Sequence, residues 1–206
     1  MKRYIPSEFG SNTAVEITRS LPCFKDKAAI QDALKKAAAN SPLTYTAIIT
    51  GPFLDWGISY GFIINLKEKI ANLYDGGDRL WSTTTLPSIG KAVAGVLKNP
   101  EETKNRFVYV QSAAVSMKKL AALGKKAVGV DGWTEEVVST SAALDEAWAE
   151  LKKPEPNPQV FVYGFLKAAI WGEGYGSYFD KLDNELLGVP QLTDAELEEL
   201  VKGLAK

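Results

Sequence analysis

The chain has 206 residues, 46% of them apolar and 24% charged, which is the composition of one folded domain rather than a disordered segment. Its 24 basic and 25 acidic residues leave a net charge of −1, so no nucleic-acid partner and no membrane partner is expected. Histidine is absent, which excludes Ser-His-Asp and Cys-His catalysis and the common zinc sites, so no metal site is predicted. The single cysteine, Cys23, indicates a reducing compartment, and a cytoplasmic location is expected.

The first elements predict a parallel β-α-β unit. Residues 3–5 form a short strand that ends at Pro6 and continues into a polar turn closed by Gly10. Residues 24–39 have the composition of a helix, with an apolar face formed by Ala29, Ile30, Ala33, Leu34 and Ala37. Residues 45–50 are a nearly unbroken apolar run, which is typical of a strand buried on both faces of a parallel sheet. Such a sheet presents functional groups at its carboxyl edge.

The remaining pattern mixes helices with short strands. Residues 54–66 are rich in aromatic residues and glycine, and predict a loop with short helical pieces. A hairpin is predicted over residues 69–84 around Gly76 and Gly77, a strand at 106–110, and an edge strand at 133–138. Helices are predicted over 86–97, from the cap Ser116 to 127, from the cap Ser141 to 152, over 160–171, and after the capping box at Thr193.

Three segments follow patterns that recur together in one protein family. Residues 3–10 read RYIPSEFG, residues 24–28 read FKDKA and lead through a helix to YTAIITGPF at 45–53, and residues 184–188 read NELLG. In this order they resemble the NmrA-like, isoflavone-reductase-like group of atypical short-chain dehydrogenases, especially its fungal members. The matching family motifs are R-F-x-P-S-E-F-G, a lysine-bearing helix leading into y-T-x-i-x-t-G-x-F, and a frequent fungal ending.

The resemblance implies an α/β fold, with the C-terminal part of a Rossmann-like parallel sheet interleaved with a smaller α+β substrate lobe. Residues 1–206 are expected to form one domain, with 1–53 and about 86–111 on the Rossmann side and about 54–85 and 112–206 on the substrate side. The family's Gly-rich turn for the dinucleotide pyrophosphate is missing, so an N-terminally truncated member is expected. Residues 172–176 are Gly-rich but follow a predicted helix, which is the wrong context for that turn.

The resemblance also implies a function and a site. The implied function is that of an NADP-dependent oxidoreductase acting on a small aromatic or conjugated substrate, with Lys27 as proton donor or ribose anchor. A partly desolvated lysine beside the cofactor's positive charge is expected to have a lowered pKa. The residues implied to border the nicotinamide are Ser7, Glu8, Phe9 and Gly51. Phe53 is implied to contact substrate, and the aromatic residues Trp56 and Tyr60 are further candidates for a substrate pocket. Weak NADPH binding is expected of a chain without the Gly-rich turn.

Several alternatives stay open from the residues alone. Lys27 is also consistent with a solvated lysine in the first turn of a helix, and Phe9 and Phe53 with core packing. Cys23 lies four residues before Lys27, where typical short-chain dehydrogenases carry tyrosine, and a small buried residue is the favoured interpretation there. The alternative functions are a non-catalytic, redox-sensing NmrA-type regulator and an inactive fragment. Self-association through an exposed sheet edge is also expected.

Overall fold

Helices alternate with short strands in the computed structural model, which describes residues 2–205. The helices are α1 (Glu16–Arg19), α2 (Lys25–Asn40), α3 (Leu54–Ser59), α4 (Leu86–Lys98), α5 (Met117–Val128), α6 (Thr140–Leu151), α7 (Pro158–Trp171), α8 (Asn184–Leu187) and α9 (Asp194–Leu204). The strands are β1 (Arg3–Tyr4), β2 (Thr44–Ile49), β3 (Ile70–Tyr74), β4 (Trp81–Thr83), β5 (Arg106–Tyr109), β6 (Ala113–Val115) and β7 (Thr134–Val138). A 3-10 turn, Pro22–Phe24, leads into α2.

The first sheet is parallel and has the strand order β1-β2-β5. Helix α2 connects β1 to β2, which confirms the predicted β-α-β unit. Ile48 and Val108, opposite each other in β2 and β5, pack with Ala92 and Val96 of α4. This burial explains the apolar run of β2. Because the strands are parallel, the segments that follow β1 and β2 meet at the same carboxyl edge of the sheet.

The predicted hairpin over residues 69–84 is wrong, although both of its strands form. β3 pairs in parallel with β7, and β4 pairs antiparallel with β6. The chain between them adopts left-handed φ values of 48° at Asp75, 88° at Gly76 and 79° at Gly77. The Asp75 carboxylate accepts hydrogen bonds from the Thr140 amide and hydroxyl at 2.9 and 2.5 Å. This segment therefore anchors the start of α6 instead of closing a hairpin.

Most helix ends follow the predicted caps. Ser116 caps α5, and Thr193 forms the predicted capping box with Glu196 at the start of α9. Helix α6 starts two residues earlier than expected, because Ser139 and not Ser141 provides its cap. Local side-chain chemistry thus fixes these ends to within a few residues.

The predicted apolar face of α2 is wrong in part. Ala29, Ile30 and Ala33 are exposed, with 43% of Ile30 accessible, whereas Gln31 and Leu34 are buried. Gln31 turns inward because its side-chain amide donates hydrogen bonds inside the protein. A buried hydrogen-bonding group therefore sets the orientation of this helix more than its apolar pattern does.

Two further cores lie outside the first sheet. The larger one centres on Trp81 and Trp171, and the Tyr74 ring stacks on Trp171 with 4.0 Å between centroids. The smaller one packs α6 against α7 through Ala147 and Phe165. Among residues 2–205, no helix is both long enough and apolar enough to cross a membrane.

Candidate functional site

An apolar cavity of about 480 Å³ lies at the carboxyl edge of the first sheet. Residues 9–11, which follow β1, form one wall, and Pro52 and Phe53, which follow β2, form the next. The start of α2 adds Phe24 and Lys27, and α3 and α7 close the opposite side. The cavity thus occupies the position where open α/β sheets bind their ligands.

Lys27 is the single charged residue among the described residues that line this cavity. Its side chain is half-buried, and its ammonium donates a hydrogen bond to the main-chain carbonyl of Glu8. Burial lowers the pKa of Lys27 below the ordinary lysine value, and the nearby Glu8 carboxylate partly offsets this effect. Because an ammonium has three donors, the bond to Glu8 leaves two for a ligand in the cavity.

The Glu8 side chain points away from the cavity and is only 2% exposed. Its carboxylate accepts hydrogen bonds from the Thr13 hydroxyl at 2.5 Å and from the Gln31 amide at 2.9 Å. The Gln31 carbonyl oxygen in turn accepts from Arg19 at 2.5 Å. Since Lys27 and Gln31 lie one turn apart on α2, that helix holds Glu8 by both its carbonyl and its side chain. This network fixes the loop that carries Phe9 into the cavity wall.

Backbone contacts bind the loop after β1 to the end of β2. The Phe9 amide donates to the Ile48 carbonyl and the Gly51 amide donates to the Gly10 carbonyl, both at 3.0 Å. Gly51 has a φ of 63°, and a Cβ placed on it lies 2.0 Å from the carbonyl oxygen of Ser82. Only glycine fits there, because a side chain would meet the backbone of β4. Gly51 therefore has a structural role, the close approach of β4 to the end of β2, in addition to its predicted position beside the cofactor.

The structure brings together some of the sequence-predicted site residues and separates others. Four of them line the cavity: Phe9, Lys27, Phe53 and Trp56. Tyr60 lines an adjoining recess, is 73% exposed, and has its ring 5.0 Å from that of Trp56. Ser7 is exposed, and Glu8 and Gly51 lie outside the cavity lining. Their roles toward a ligand stay predictions.

Helix α7 supplies lining residues that sequence reasoning missed. Val162, Leu166 and Ile170, spaced four residues apart, face the cavity, whereas Phe165 and Ala168 pack in the small core against α6. The available signal is that α7 is apolar on most sides, with only a narrow polar stripe of Gln159, Tyr163 and Lys167 where a surface helix has a broad polar face. A helix of that kind needs apolar surroundings on more than one side. One side of α7 packs against α6, and another lines the cavity.

Cys23 lies in the 3-10 turn before α2, next to the small core. Burial raises the pKa of its thiol to about 12. At neutral pH the thiol therefore stays protonated and unreactive. This supports the interpretation of Cys23 as a small core residue rather than a stand-in for a catalytic tyrosine.

The chain is similar in sequence to two curated fungal proteins, while no family model matches it. It is 29% identical over 209 residues to "Oxidoreductase aprR" of Aspergillus flavus, covering 98% of the chain and 68% of that protein. It is 34% identical over 203 residues to "Oxidoreductase poxI" of Penicillium oxalicum, covering 92% of the chain and 62% of that protein. The chain thus spans roughly two thirds of these relatives.

The fold is similar to that of two solved reductases. The binary complex of leucoanthocyanidin reductase and NADPH from Vitis vinifera matches with a TM-score of 0.72 at 18% identity, over 100% of the chain and 66% of that protein. Isoflavone reductase matches with a TM-score of 0.68 at 20% identity, over 97% of the chain and 65% of that protein. The resemblance to the isoflavone-reductase-like group thus holds at the level of the fold, and the α/β fold class with its Rossmann-like parallel strands is confirmed.

Proposed function

We propose that the chain forms the nicotinamide and substrate side of an NADP-dependent reductase that acts on a small aromatic or conjugated compound. The observation that carries this proposal is the half-buried Lys27 ammonium on the wall of an apolar cavity at the carboxyl edge of a parallel sheet. Two kinds of similarity support it. The fungal relatives are named oxidoreductases, and a structure with the same fold is a complex with NADPH.

The residues around Lys27 fit the nicotinamide end of this cofactor. Gly10 has no side chain in front of the ammonium, and a Cβ there lies 4.0 Å from Lys27 Nζ, so any longer side chain would cover it. Phe9 and Phe53 add apolar ring surface to the same cavity, which suits an uncharged dihydronicotinamide ring. NADPH, when bound, supplies the hydride.

Lys27 can serve the reaction in two ways. Its lowered pKa makes its proton easier to release near neutral pH than that of an ordinary lysine, which suits delivery of a proton to the reduced substrate. Its two remaining N–H donors can also hold the ribose hydroxyls and so orient the cofactor. In both roles the ammonium acts from the cavity wall, at a position fixed by its hydrogen bond to Glu8.

A non-catalytic, NmrA-type redox sensor is the second candidate function, because the same cavity and Lys27 suit cofactor binding without requiring turnover. The glycines of residues 172–176 do not supply a phosphate cradle for either function: a Cβ on Gly172 lies 2.5 Å from the Ala168 carbonyl, and one on Gly176 lies 2.7 Å from Val15. Their segment follows helix α7, so it offers no helix N-terminus to a pyrophosphate. A chain that holds the cofactor mainly by its nicotinamide end is expected to bind it weakly.

A nicotinamide fluorescence titration tests this binding. We expect the 206-residue chain to bind NADPH with a dissociation constant of about 100 µM or weaker, since the pyrophosphate contributes little. Binding in the low micromolar range would contradict that expectation and indicate phosphate contacts elsewhere in the chain.

We also propose that the chain self-associates through β1 in a reducing, cytoplasmic setting. Within residues 2–205, β1 pairs with β2 on one side, and its other edge has no strand partner. Open edges of this kind favour pairing with a second chain. Light scattering should show an apparent mass that rises with protein concentration. A concentration-independent monomer would count against self-association.

A further inference from the structure

A second recess adjoins the cavity beside Lys27. This outer recess, bounded by Tyr60, Asn72, Tyr74 and Lys167, has a volume of about 670 Å³. It shares walls with the inner cavity, because Trp56, Phe62, Gln159 and Tyr163 line both. Continuous walls allow one ligand to extend from the inner cavity into the outer recess.

The two spaces differ in chemistry. The inner cavity is lined mostly by apolar groups, with Lys27 and the shared Gln159 as exceptions, whereas the outer recess also presents the side chains of Asn72 and Tyr74. Lys167 is the one charged residue among the described residues of the recess. In the described part of the chain, Lys167 forms no ion pair with a carboxylate. The recess therefore carries an uncompensated positive charge.

Helix α7 explains why the two spaces lie side by side. Gln159, Tyr163 and Lys167 are four residues apart and form one stripe along the helix. Val162, Leu166 and Ile170 form the neighbouring apolar stripe toward the inner cavity. From Gln159 to Lys167 the polar stripe advances eight residue steps, or roughly 12 Å along the helix axis at the rise of an α-helix. That length accommodates an extended molecule with an aromatic ring at one end and a polar group at the other.

We propose that the outer recess binds an anionic oxygen group, such as a carboxylate, at the far end of an aromatic substrate, and that Lys167 determines this specificity. The inference rests on the proposed function, since the aromatic end of the same molecule would occupy the inner cavity. The rings of Trp56 and Tyr60, tilted by 32° to each other, are 44% and 73% exposed, and they offer aromatic surface to the middle of the molecule. Because the recess is open to water, an anion there keeps part of its hydration, which limits the cost of burying it.

A matched pair of fluorescent probes tests this inference. Anilinonaphthalenesulfonate and N-phenylnaphthylamine share one ring skeleton, but only the first carries an anionic sulfonate. Both are titrated against the unchanged chain, Lys167→Gln, Lys27→Met, and the control Lys36→Gln, whose lysine is exposed on α2. We expect Lys167→Gln to bind the sulfonate about tenfold more weakly and the neutral probe unchanged, because a charge-assisted contact is lost. Lys36→Gln should bind both probes as the unchanged chain does.

The outcomes separate the two proposals. If the neutral probe binds but Lys167→Gln holds the sulfonate as tightly as the unchanged chain does, the anion site is refuted and the proposed function stands. If Lys27→Met loses sulfonate binding while Lys167→Gln keeps it, the anion lies in the inner cavity, and the inference is also refuted. If the neutral probe fails to bind the unchanged chain, the apolar cavity is not a binding site and both proposals fail.

Discussion

Replacement of Gly51 by alanine is expected to destabilise the fold by about 3 kcal/mol or more, because two costs add at this residue. The φ of 63° is unfavourable for any residue with a side chain, and the new Cβ lies 2.0 Å from the Ser82 carbonyl oxygen. Relief requires β4 to move away from the end of β2, which would also shift Phe53 in the cavity wall. Urea denaturation followed by tryptophan fluorescence measures the loss.

Gly76→Ala is the matched control for this substitution. Gly76 also has a left-handed φ, 88°, but a Cβ there has no atom within 4 Å. Only the backbone strain remains, so we expect a loss of about 1 kcal/mol. Equal losses in the two variants would mean that the contact with Ser82 is not the constraint proposed for Gly51.

Lys27→Met is expected to reduce NADPH-dependent turnover about 100-fold or more, the usual effect of removing a general acid or base. Methionine keeps the length and the apolar stem of lysine, so packing in the cavity wall changes little. The measurement is NADPH oxidation with a panel of aromatic enones and quinones.

Lys35→Met provides the control for Lys27→Met, because Lys35 lies on the same helix with an exposed side chain. Its turnover should match that of the unchanged chain. Loss of turnover with binding retained in Lys27→Met supports an enzyme. Binding without turnover in every form, including the unchanged chain, would instead support the redox-sensor alternative.

Local patterns in the sequence predicted the elements well, and long-range contacts account for the errors. The β-α-β unit follows from an apolar run and a helical composition, and the caps at Ser116 and Thr193 depend on neighbours within one turn. The partners of β3 and β4 depend on β7 and β6, which lie far along the chain. Nothing in residues 69–84 alone specifies those pairings. The predicted hairpin, which pairs β3 with the next strand β4, is therefore wrong.

In the candidate site, too, local motifs predicted some residues, whereas long-range contacts determine the others. The family motifs predicted Phe9, Lys27 and Phe53, and the aromatic pattern predicted Trp56. These residues meet in one cavity because the loops after β1 and β2 share an edge. The inward turn of Glu8 could not be predicted in this way, because it depends on Gln31, 23 residues later. The contribution of α7 depends on which face packs against α6, and that choice is made only in the folded protein.

The central claim is that the Lys27 ammonium opens on a cavity that receives the nicotinamide end of NADPH. The most direct test labels all lysines with isotope-enriched methyl groups and follows them by NMR, with Lys27→Met assigning the Lys27 signal. We predict that Lys27 titrates below the ordinary lysine value, as its burial requires, and that millimolar NADPH shifts the Lys27 signal but not that of the exposed Lys35. A Lys27 signal that titrates at the ordinary lysine value and does not respond to NADPH would contradict the account.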